Sequence, residues 1–114
     1  MVAWAVETGL RDIVERDLDL LPLLQRVARR PPEKPVRVER ATTAFAAMEC
    51  VAAAAGRPPA DPPDLLLRWL SAHPAGPSVP LMAAAIKALD RLSVEAGLPP
   101  GPPLDDLRAR LHGR

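Results

Sequence analysis

The 114-residue chain has no tyrosine and only three aromatic residues, Trp4, Phe45 and Trp69. Valine, isoleucine and threonine are also sparse. A chain so short of β-branched and aromatic side chains is a poor source of strands. With one cysteine, Cys50, there is no internal disulfide framework, which fits a reducing compartment. No run of about 18 apolar residues is present to cross a bilayer. The opening MVAWAVETGLRDIVERD lacks a basic segment followed by an apolar one, so no secretory signal is expected. Neither sign of charge dominates: 15 Lys and Arg face 14 Asp and Glu. Whole-molecule attraction to nucleic acid or to an anionic membrane is thereby excluded. These absences predict a cytoplasmic protein.

What the chain has is alanine, leucine and proline. Its length suits one domain, residues 1–114, with a real core. The fifteen prolines cluster between apolar segments rather than running through them, which predicts helices joined by stiff connectors. The segment ATTAFAAMECVAAAAG, residues 41–56, organises the rest. Ala41, Ala44, Phe45, Met48, Val51, Ala52 and Ala55 share one helical face, and the opposite side is small rather than polar. Only Thr42 and Glu49 make a narrow polar stripe. A helix apolar nearly all round belongs inside a bundle. Gly56 supplies the left-handed residue that ends it.

Five further helices are expected. The first runs from Ala3 to Arg16, with Val6, Leu10, Ile13 and Val14 inward. Asp19 caps a second, Leu20 to about Arg29, burying Leu20, Leu23, Leu24 and Val27. After GRPPADPP, Asp61 is expected to cap a fourth helix carrying Leu65, Leu66, Leu67, Trp69 and Leu70. Ser78 caps a fifth, with Leu81, Met82, Ala85, Ile86, Leu89, Leu92 and Ala96 on one side. Lys87, Asp90, Arg91 and Glu95 are on the other, and Gly97 ends it. A last short helix covers Leu104 to about His112.

A shift of 41 residues lays the central helix over the fifth: Ala44 on Ala85, Met48 on Leu89, Glu49 on Asp90, Gly56 on Gly97. The connector prolines continue the register. Two helices per period of about 40 is the mark of stacked helical pairs. The expected fold is therefore an all-α, single-domain bundle of six helices in three pairs, with solenoid-like local packing.

Candidate chemistry is thin. Cys50 has no base placed near it by sequence, since His73 and His112 sit at helix ends, so it reads as a small buried apolar residue. One Cys and two isolated His give no metal-ligand spacing. Glu7, Asp12, Glu15, Asp17 and Asp19 are dense, but Arg11 and Arg16 are i,i+4 partners that fit a solvated face. The six glycines form no phosphate-cradling loop. No catalytic residue and no cofactor is assigned. The run Arg26, Arg29, Arg30, Lys34, Arg37 and Arg40 is the one candidate nucleic-acid patch. Glu33 and Glu39 interrupt it, and no aromatic is interleaved for base stacking. The P-x-x-P spacings at Pro59–Pro62 and Pro100–Pro103 read as structural spacers.

Trp4, Trp69 and the leucines at 65, 66, 67 and 70 together exceed one helix face, so Trp4, Leu65 and Trp69 are the candidate partner surface. The chain is thus expected to be a protein-interaction or self-associating module and not an enzyme. A small nucleic-acid-associated regulator is the alternative.

Met1, Trp4 and Asp12 stand in the register of the opening Met-Gly-x-Trp-Gly-x-Gly-x-Phe-x-Asn-Asp. Val2, Ala5 and Glu7 replace its glycines, Gly9 its Phe and Arg11 its Asn. Glu49, Gly56-Arg57-Pro58 and Leu66 to Trp69 follow the later pattern of an Ala-rich helix, Gly-Arg-Pro and a Leu/Trp helix. In these features the chain resembles a family of small bacterial helical proteins known only as a domain of unknown function. The resemblance implies an all-helical fold and no activity. The Ala- and Arg-rich, Lys-poor usage also points to a high-GC bacterial source.

Overall fold

Why the central segment can be so rich in alanine is explained by its neighbours. The computed structural model describes the backbone of residues 3–94 and 102–113, and the side chains of 7–94 and 105–113. It contains α1 (Ala3–Arg16), α2 (Leu20–Ala28), α3 (Val38–Ala54), α4 (Asp64–Ala72), α5 (Val79–Ser93) and α6 (Pro102–His112). The fold is all-α, and α3 touches all five other helices. Ala41, Ala44, Ala46, Ala47, Cys50, Val51, Ala52 and Ala53 are all buried on it, so both its large and its small sides face protein. The globule has a radius of gyration of 12.7 Å.

Small residues set how closely the helices approach. A Cβ built on Gly9 of α1 would lie 2.7 Å from the Thr42 carbonyl oxygen and 2.8 Å from the Ala46 Cβ of α3. Nothing but glycine fits that crossing without a shift. The hydroxyls of Thr42 and Thr43 turn back onto their own helix, donating to the carbonyls of Val38 (2.9 Å) and Glu39 (3.0 Å). The helix ends with Gly56 at φ +89°. Arg57 N–H donates to Ala52 and Gly56 N–H to Ala53, both 2.9 Å, the paired bonds of a Schellman stop.

Caps at Asp19 and Ser78 form as expected, accepting from Leu21 N–H and Leu81 N–H at 3.2 Å each. Asp61 does not cap α4. That helix starts at Asp64, with Pro63 as N-cap, its carbonyl accepting from Leu66 and Leu67. The proline run stays extended one residue pair longer, because a residue before proline is held out of the helical region.

Consecutive pairing holds for α3 with α4 and for α5 with α6. Among the described residues α1 and α2 make no such pair; α1 packs on α3 and α4, α2 on α5 and α3. The register mates Ala44 and Ala85, Met48 and Leu89, Val51 and Leu92, and Leu66 and Leu107 are buried alike. Expectations for Val6, Ala96, Gly97 and the Leu104 side chain lie outside the described residues.

Two residues expected on polar faces are buried instead. Arg91 is 7% exposed and Glu49 8%. Each satisfies its charge inside the fold. Arg91 donates from Nε to the Arg30 carbonyl (2.7 Å) and from Nη2 to those of Pro31 (3.0 Å) and Lys34 (2.9 Å). Glu49 receives Arg110 of α6. Among the described residues no helix is long and apolar enough to cross a membrane.

Candidate functional site

The polar surface of α2 follows from its buried one. Leu20, Leu24 and Val27 face the core, which leaves Pro22, Gln25, Arg26 and Arg29 along the opposite side at i, i+3, i+4, i+7. Proline then ends the helix, and the 30–35 connector turns the chain. Its carbonyls find no helical partners, so buried Arg91 takes three of them. Arg30 Nη2 donates to the Pro35 carbonyl at 3.1 Å, closing the connector on itself. Arg30 Nε is buried with no partner among the described residues.

This fixed turn returns the start of α3 beside α2. Arg26, Arg29 and Arg30, with Arg40 from the first turn of α3, line one recess of about 380 Å3 together with Pro22 and Gln25. Among the described residues no carboxylate lines it. A wider recess of about 610 Å3 adjoins it and shares Pro22, Arg26 and Arg40. There Arg16 and Arg37 add positive charge, while Asp12, Asp19 and Glu39 oppose it. Of the six basic residues singled out by sequence, Lys34 lines neither recess, although its side chain is exposed.

The candidate apolar surface is arranged differently from the expectation. Trp69 is 7% exposed and belongs to the core, because α4 lies across α1 and α3 and turns its ring inward. His73 stacks on it, with ring centroids 4.5 Å apart and planes at 16°, and its Nδ1 donates to the Trp69 carbonyl at 2.9 Å. Leu65 is half-buried, and the Trp4 side chain lies outside the described residues. The exposed leucine of α4 is Leu67, at 46%. Among the described residues the other large exposed apolar side chains, Val38, Val79 and Val94, stand at the ends of α3 and α5. A third recess, about 590 Å3, runs beside Trp69 and His73 between α2, α4 and the 74–78 turn, with Leu18, Leu21 and Leu81 in its wall.

Cys50 is buried, and burial, with Glu49 adjacent, pushes its thiol up to about 12. A thiol so raised supplies almost no thiolate at neutral pH. Among the described residues no group of three or more His, Cys, Asp or Glu is placed to hold a metal ion.

The basic run is visible in the sequence, but its convergence is a tertiary fact. The cue was Arg91, which the amphipathic pattern assigned to solvent. Comparison with protein-family models, with curated proteins and with solved structures yields no match.

Proposed function

We infer that the chain is a protein-binding module rather than an enzyme, and that it takes an acidic segment of a partner in the arginine recess. The observation that carries this is the convergence of Arg26, Arg29, Arg30 and Arg40, from two helices and a pinned connector, on one concavity that no carboxylate lines among the described residues. Arginine forks match carboxylate geometry, and a rigid wall reduces the ordering cost of binding. The neighbouring wider recess, with charges of both signs, suits a mixed-charge segment continuing across the surface.

The same arginines favour a second reading, a nucleic-acid-associated regulator. Against it stand the three carboxylates beside the recess, which repel a long phosphate backbone. Phe45 and Trp69 are both buried and offer no stacking platform. Self-association through one apolar patch has less support, since Val79 and Val94 lie at opposite ends of α5. A cytoplasmic, bacterial setting and kinship with the small helical family belong to the same proposal.

Fluorescence anisotropy with a labelled glutamate-rich peptide and a labelled DNA duplex tests the reading. The peptide should bind, and the combined Arg26→Gln, Arg29→Gln, Arg40→Gln variant should lose it. Duplex binding with a steep salt dependence and no peptide binding would favour the regulator instead.

A further inference from the structure

We propose that the small arginine recess is a subsite for a phosphomonoester dianion, carried on the side chain of a partner's acidic segment. This rests on the acidic-segment reading and narrows it. Three features point to a compact dianion. Four arginines and Gln25 line the recess, and among the described residues no acid lines it with them. In the adjoining recess, by contrast, Asp12, Asp19 and Glu39 stand against four arginines, of which Arg26 and Arg40 are shared, so the positive excess is greatest in the small recess. Its volume, about 380 Å3, is at the small end of ligand sites, enough for a tetrahedral group and its linker.

The chemistry of the donors gives the same direction. A carboxylate carries one charge and is saturated by one or two forks. A phosphomonoester carries about −1.5 to −2 at neutral pH and three strong acceptor oxygens, so it can engage guanidinium groups from several sides at once. The side chains that would reach it differ in mobility. Arg26, Arg29 and Arg40 are exposed and can turn toward a ligand, whereas Arg30 is tied to the Pro35 carbonyl and forms part of the wall. The Arg91 bonds to the connector hold that wall in place. A diester, with one charge per phosphate, would lose this advantage.

The test uses three fluorescein-labelled peptides of glycine and aspartate, identical except for a central phosphoserine, serine or glutamate. Anisotropy titrations should show the phosphoserine peptide binding about tenfold or more tightly than the serine twin, the range of a charge-assisted contact. Arg26→Gln and Arg40→Gln should each shrink that ratio, while Arg16→Gln, in the wider recess only, should leave it. Circular dichroism checks that the exposed-site variants remain folded. Inorganic phosphate should displace the phosphopeptide more effectively than chloride at equal ionic strength. If the three peptides bind alike, the dianion subsite is overturned and the acidic-segment reading stands. If none binds, both fall. A phosphoserine preference that persists in Arg26→Gln and Arg40→Gln places the site elsewhere and overturns the assignment.

Discussion

Glu49 and Arg110 form a two-point ion pair across the bundle, Nη1 to Oε2 at 2.7 Å and Nη2 to Oε1 at 2.9 Å. Arg110 Nε also reaches Asp106 at 2.9 Å, and its own carbonyl accepts from Arg57 Nε. Hydrogen bonding to Glu49 holds the guanidinium above its ordinary value against the opposing effect of burial. The pair ties α6 to the middle of α3, while Arg108, bonded to Asp90 and Ser93, ties it to α5. Glu49→Ala leaves the largely buried Arg110 with only the exposed Asp106 as ion partner and should cost about 3 kcal/mol in urea denaturation. The double replacement Glu49→Leu with Arg110→Met should recover most of that loss, because no buried charge then remains and Asp106 is exposed to water.

Gly9 gives a second prediction. In an exposed helix, alanine would gain about 1 kcal/mol over glycine. Here the added carbon meets the α3 backbone at Thr42, which cannot move like a side-chain end. Gly9→Ala should therefore lower the thermal midpoint rather than raise it.

Ala47 tests whether α3 is enclosed. It is fully buried on the small side of the helix. Overpacking there should cost about 1–3 kcal/mol in Ala47→Leu. Lys87→Leu, on the exposed side of α5, should change the denaturation midpoint little. A neutral Ala47→Leu would show the small side to be open.

The Cys50 thiol sets a pH window. Unfolded, it loses its proton near 9.0; folded, it keeps it to about 12. Between those values the native state binds more protons, so this contribution is complete below the lower value and falls as pH rises through the window. Cys50→Ala should flatten the alkaline slope of stability relative to the parent chain. In the folded parent, thiol reagents should react only as fast as the chain opens.

The helices were legible because capping and periodicity are local. Asp19, Ser78 and Gly56 each do what their residue type suggests. The enclosed α3 was legible from its lack of a polar face. Arg91 and Glu49 were not, because a helical wheel assigns charge to solvent and cannot see a partner 61 residues away. The burial of Trp69 is hidden for a related reason: counting apolar residues on α4 does not reveal that α1 and α3 together cover it. The arginine recess needed both the basic run, visible in sequence, and the buried pin that folds it, which is a tertiary fact.

The arginine face of α2 and the start of α3 should be the working surface of the protein. Nitrogen-resolved NMR of the labelled chain, titrated with the phosphoserine peptide, tests it most directly. Amide shifts should concentrate in residues 23–30 and 37–43, with residues 69–81 quiet. Shifts gathered around Trp69, His73 and Leu81 would place the partner on the apolar recess instead and contradict the account.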